Sequence, residues 1–126
     1  MAKILVVDDE VLFLELMKGI LEEEGFEVAT ACNEEEFRDS VLSEKPALII
    51  LDIMLGGKTG PFIYDDLLAK GMLARSIPVI FISGLMQDRL PTKPVMPGQS
   101  YALCAKPFES QALLKDIHTL IKAEAV

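Results

Sequence analysis

Five residues of this chain have types and places suited to handling a phosphoryl group. Asp8 and Asp9 close one apolar run, KILVVDD, and Asp52 closes another, ALIILD. Ser83 closes IPVIFIS, and Lys106 follows YALCA. A pair of acids together with Asp52 offers hard, anionic oxygens that suit Mg2+, an ion that keeps several waters and takes only a few carboxylates. A carboxylate can also attack phosphorus and become an aspartyl phosphate. A metal at that point offsets charge on the transferring oxygens, which is most of what the reaction requires. Lys106 could pair with the phosphate as a point charge, and the Ser83 hydroxyl could donate to one of its oxygens. Each residue alone has a plainer explanation. Asp8 or Asp9 could cap a helix, and Lys106, next to Pro107, could simply end a strand. The set is what carries information.

The stretch LDIMLGGKTG, Leu51 to Gly60, admits a second reading, in which Gly57-Lys58-Thr59 ends a nucleotide-binding phosphate loop. Such a loop needs a glycine five residues before the Gly-Lys pair's glycine, and Asp52 stands there, its carboxylate aimed at the phosphates to be cradled. Pro61 has no N–H to offer, and no other strand ends in a spare acid of the kind the loop requires. Gly56-Gly57 are better read as letting the chain turn tightly beside a metal.

Elements that alternate must deliver these groups. KILVVD (Lys3 to Asp8) is a β-rich run. Phe13, Met17, Ile20, Leu21 and Glu24 then mark a helix that ends at Gly25. FEVATA is a shorter strand, and Asn33 with Glu36 resembles a capping box for a helix to about Ser43. ALIILD is apolar until its last residue, as befits a central parallel strand covered on both faces. Gly60-Pro61 open a helix to about Leu73, IPVIFIS and YALCA are the last two strands, and Ser110 to about Glu124 is the closing helix, with Leu113, Ile117, Leu120 and Ile121 inward. Between Gly84 and Gly98, Pro91, Pro94 and Pro97 leave room for one short helical turn at most. The expectation is a single domain over residues 1–126, an α/β fold with a doubly wound, five-stranded parallel sheet whose fourth helix is short or disrupted. Ligands of such sheets sit beyond the carboxyl ends of the strands, where all five candidate residues fall.

Composition narrows the function classes. Hydrophobic residues make up 51% of the 126 and charged residues 25%, a globular balance. Net charge is −8 with no visible Lys/Arg cluster, which speaks against direct nucleic-acid binding. Apolar runs are too short to span a bilayer, and the N-terminus runs straight into acid without a cleavage site, so the cytoplasm is the expected compartment. Cys32 and Cys104 read as small buried thiols, and His118 has no ligand set around it.

Taken together, KILVVDDE, LDIMLGGKTG, VIFISG and AKPF resemble, in order and spacing, a response-regulator receiver domain, the phospho-acceptor half of two-component signalling. The resemblance covers essentially the whole chain. It implies the flavodoxin-like strand order 2-1-3-4-5, with Asp52 as the phosphorylation site. Asp8 and Asp9 hold Mg2+, with the backbone carbonyl of Met54 as a further ligand. Ser83 and Lys106 read the phosphate. The implied partners are a sensor histidine kinase or phosphotransfer protein, and a downstream protein target or fused output domain.

Several positions depart from the family pattern. Leu103 stands where members often carry an aromatic whose rotamer tracks activation, and Tyr101 is the nearest aromatic. The proline-rich segment replaces much of the fourth helix, as in a subgroup with a Phe-x-Ser/Thr-Gly loop, here Phe81 to Gly84. Phosphorylation would then order the 84–98 loop. Met54 and Leu85 are apolar where polar residues help position the hydrolytic water in other members, which implies slow dephosphorylation. Two rivals remain. An aspartate-nucleophile phosphohydrolase needs a second Asp where Met54 stands, and a non-phosphorylated, receiver-like interaction module would have lost an acid or the Lys.

Overall fold

Strand and helix alternate because apolar runs of period two or none give way to runs of helical period. The structure is a computed structural model that describes residues 2–55, 58–73, 77–83, 101–105 and 110–125. Its elements in order are β1 (Lys3–Val7), α1 (Val11–Glu23), β2 (Glu27–Ala31), α2 (Glu34–Glu44), β3 (Leu48–Asp52), β4 (Met54–Leu55), β5 (Lys58–Thr59), α3 (Gly60–Ala69), β6 (Val79–Ser83), β7 (Tyr101–Ala105) and α4 (Ser110–Ala125). The main sheet has five strands in the order β2-β1-β3-β6-β7, all parallel. With the small β4–β5 pair set aside, that is the expected 2-1-3-4-5 order.

The two sheet faces are covered separately. Ile4, Val6, Ile50 and Ile80 point to the side where Leu14, Met17 and Leu21 of α1 meet Leu113, Ile117 and Leu120 of α4. Leu5, Val7, Ile49, Leu51 and Phe81 point to the other, against Phe37 and Val41 of α2 and Ile63 and Leu67 of α3. β3 is buried along its whole length, which explains why its sequence shows no alternation. Each fully buried Leu or Ile side chain contributes roughly 1.5–3 kcal/mol through apolar burial. Among the described residues no helix is long and apolar enough to cross a membrane.

Helix ends differ from expectation in instructive ways. α1 closes as expected at Gly25 (φ 94°), with the Phe26 N–H on the Leu21 carbonyl and the Gly25 N–H on Glu22. α3 stops at Ala69, not near Leu73, because Gly71 (φ 72°) builds the same closing motif, with Met72 N–H on the Leu67 carbonyl at 3.0 Å. Asn33 caps α2 by accepting from the Glu36 N–H at 2.8 Å. Glu36 reaches back one residue further than a capping box would, to the Cys32 N–H at 2.9 Å. In α1 the buried positions are Leu14, Met17 and Leu21, while Ile20, one of the residues that mark the helix, is only partly buried. In α4, Leu114 is buried while Ile121 is only partly so. The expected disruption of the fourth helix falls on 84–100, outside the described residues.

Candidate functional site

The carboxyl edge of the sheet is built by register. Val7 of β1 pairs with Leu51 of β3, so the residues that follow, Asp8 and Asp52, leave adjacent strands side by side. Their carboxylate oxygens and that of Asp9 all lie within 4.8 Å of one another. Asp8 and Asp52 are buried, at 1% and 8% exposure, and Asp9 is exposed. Two acids sunk beside each other with a third at the mouth form a site whose like charges repel. A divalent cation that favours carboxylate oxygen would offset this repulsion, and the donor set fits Mg2+.

The possibility that Asp8 or Asp9 caps the first helix is answered by geometry. The residue at that cap is Glu10, whose side chain makes no capping bond. Its backbone N–H instead donates to Asp8 Oδ1 at 2.9 Å, a local turn that orients the Asp8 carboxylate.

Ser83 is the last residue of β6, and Asp52 pairs in register with Ile82, the residue before it. The backbone of Ser83 therefore lies one step beyond the end of β3. Ser83 also pairs with Ala105, the residue preceding Lys106. Lys106 itself, like Gly84, Leu85 and the 84–98 loop, lies outside the described residues. Met54 opens β4, which pairs antiparallel with β5 through Met54↔Thr59 and Leu55↔Lys58. Lys58 and Thr59 thus belong to a short antiparallel pair, an arrangement unlike a phosphate cradle, and this bears against the nucleotide-loop reading.

Sequence reasoning missed Gly60. This buried residue begins α3, its N–H donates to the Ile53 carbonyl at 2.6 Å, and a Cβ there would collide with the backbone oxygen of Asp52. The signal was faint, a glycine before a proline at a helix start. The aromatic side of the site also differs from expectation. Phe81 is the register partner of Leu103, and its ring meets Tyr64 of α3 edge-on at 5.8 Å. Aromatic bulk thus stands one strand over from the position where family members often carry it.

The remaining candidates stay outside the site. Cys32 is a free, partly buried thiol, held above its ordinary pKa first by hydrogen bonding with Glu36 and then by desolvation. His118 stacks obliquely on Phe26, ring centroids 5.3 Å apart, as a packing residue. Cys104 lies in β7.

Comparison with known proteins decides the family. The model of the response regulator receiver domain matches residues 4–118. This chain belongs to the response regulator receiver domain family. Receiver domains act in two-component signalling, typically as phosphoacceptors, and the Asp8/Asp9/Asp52 pocket of this one is consistent with that site. The probable transcriptional regulator ycf27 of Cyanophora paradoxa is 31% identical over 122 residues, 95% of this chain and 48% of its own length. The uncharacterized transcriptional regulatory protein YbdJ of Bacillus subtilis is 28% identical over 120 residues, again 95% of this chain and 51% of its own length. The receiver thus spans about half the length of these curated relatives. A CheY-like receiver domain protein from Methanospirillum hungatei JF-1 has the same fold, with TM-score 0.79 at 22% identity over 99% of this chain and 97% of that one.

Proposed function

We propose that this domain, as one unit over residues 1–126, accepts a phosphoryl group on Asp52 from a sensor histidine kinase or a phosphotransfer protein in the cytoplasm. The observation that carries the reading is the convergence of the Asp8, Asp9 and Asp52 carboxylates within 4.8 Å at the carboxyl edge of the sheet. In the transfer, an Asp52 carboxylate oxygen forms a bond to phosphorus as the bond from phosphorus to the donor imidazole nitrogen breaks. The electron pair stays on the imidazole. Asp8, Asp9, Asp52 and the Met54 backbone carbonyl hold Mg2+, which when bound neutralises charge on the phosphoryl oxygens. Lys106 pairs with the new phosphate, and Ser83 donates to it.

Phosphate on Asp52 draws Ser83 toward it and orders the 84–98 loop, the surface through which a downstream protein or a fused output domain is addressed. Direct nucleic-acid contact by this domain is not part of the reading, given its net charge of −8. The domain catalyses only its own phosphorylation and dephosphorylation. The test is intact mass after incubation with a small phosphodonor, with and without Mg2+, beside Asp52→Asn. A Mg2+-dependent gain of one phosphoryl group, absent in the variant, is expected. Mg2+ binding without phosphoryl uptake would instead make the domain a constitutive interaction module.

A further inference from the structure

We infer that Gly60 is a positioning residue for the site, required because a bare Cα lets the start of α3 close against the end of β3. The inference rests on the proposed Mg2+ site at Asp52 and its neighbours. Gly60 is buried, and its backbone is not among those in the left-handed region. Space, not conformational freedom, is therefore the reason for a glycine. A Cβ would strike the Asp52 backbone oxygen and come within 3.0 Å of Leu51 Cγ and 3.1 Å of the Asp52 carbonyl carbon. Two of those three atoms belong to backbone and cannot rotate away.

The close approach has a purpose visible in the hydrogen bonds. Gly60 N–H is one of the donors that a helix start leaves without an intrahelical partner. It donates to the Ile53 carbonyl at 2.6 Å, while the Ile53 N–H donates to the Ile82 carbonyl at 2.8 Å. Ile53 is thereby pinned from two sides, to α3 and to the strand that ends in Ser83. It stands between Asp52 and Met54, so this neck sets where the Met54 backbone lies relative to the three carboxylates. Opening it by even a methyl group would displace the carbonyl assigned to the metal.

Gly19 in α1 supplies the control, because a Cβ there meets nothing within 4 Å. We would measure Mg2+ affinity by calorimetry for the wild-type chain, Gly60→Ala and Gly19→Ala, each shown by circular dichroism to be folded at the temperature used. Residues that hold metal ligands in place typically change affinity by roughly 10- to 100-fold when altered. Gly60→Ala is expected to bind Mg2+ at least about tenfold more weakly, with Gly19→Ala unchanged. A glycine with a merely structural role would lower the melting temperature and leave the folded protein's Mg2+ affinity within about twofold of wild type. That result would overturn the inference. Should Gly60→Ala not fold, amide exchange in the wild-type chain decides. Neck closure and metal binding must be reciprocally coupled, so Mg2+ should slow exchange of the Gly60 N–H. It should spare the Ala47 N–H, which bonds the Lys3 carbonyl at 2.8 Å at the far end of the sheet. Unchanged exchange at Gly60 would overturn the inference. Neither readout uses a phosphodonor, so failure of this positioning role and failure of Asp52 chemistry give different results.

Discussion

Asp9→Asn should reverse its effect on stability when Mg2+ is added. Without metal, Asp9 faces two carboxylates whose oxygens lie within 4.8 Å of its own. At that separation two unit charges repel by roughly 1 kcal/mol in water and by about 3.5 kcal/mol at an effective dielectric constant of 20. Asp9 is exposed, so the water-like figure applies, and neutralising it should stabilise the metal-free fold by about 1–2 kcal/mol. For a domain of this size that is a rise in Tm of about 4–8 °C. With Mg2+ the order changes. A ligand at a hundred times its Kd stabilises the form that binds it by about 2.7 kcal/mol, and the variant has lost one of the groups that hold it. The assay is urea denaturation of both proteins in chelator and in saturating Mg2+. The variant should be more stable in the first and less stable in the second. Equal Mg2+ stabilisation of both proteins, or a variant that is weaker without metal, would refute the reasoning.

Three further outcomes are expected. Arg38 donates to Glu34 on its own helix and to Asp66 of α3 at 2.8 Å, and this pairing, with help from Lys70, holds the Asp66 carboxyl below its ordinary range. Arg38→Met should lower the urea midpoint slightly at neutral pH. A depressed folded-state pKa stabilises only above the unfolded value, here 3.8, so the gap from wild type should close as pH falls below about 4. A gap that widened in acid would contradict this. Lys45 ends α2 with φ 48°, in the left-handed region, so Lys45→Gly should raise stability by about 0.5–1 kcal/mol, seen as a higher Tm. Met54→Asn should shorten the lifetime of the phosphorylated protein, followed by loss of the phosphoryl mass after donor removal, and an unchanged decay would sink the idea of slow dephosphorylation.

Much of this arrangement was legible because apolar runs stop abruptly at polar residues. Val7 to Asp8 and Leu51 to Asp52 are such steps, and parallel pairing turns two sequence-distant steps into one rim. Helix ends were legible where a glycine followed the last apolar residue, as at Gly25. At α3 the apolar Met72 and Leu73 lie beyond Gly71, and Leu73 is buried without being helical, so periodicity overran the end. Leu14 and Ile20 are equally apolar, and only packing against α4 and the sheet decides which turns inward. The pairing of Met54–Leu55 with Lys58–Thr59 involves two residues a side, too few to show a period. Gly60 was missed for a related reason. Its requirement is set by the Asp52 backbone oxygen eight positions earlier, a steric fact with no pattern in the sequence.

The most direct measurement is where the phosphate goes. An aspartyl phosphate is an acyl phosphate, and borohydride reduces it to the alcohol, turning that aspartate into homoserine. The protein would be treated with a small phosphodonor and Mg2+, reduced, digested and mapped by mass. The account predicts homoserine at position 52 alone, and none when Mg2+ is chelated. Homoserine at position 8 or 9, or an unmodified Asp52 in protein that binds Mg2+, would contradict it.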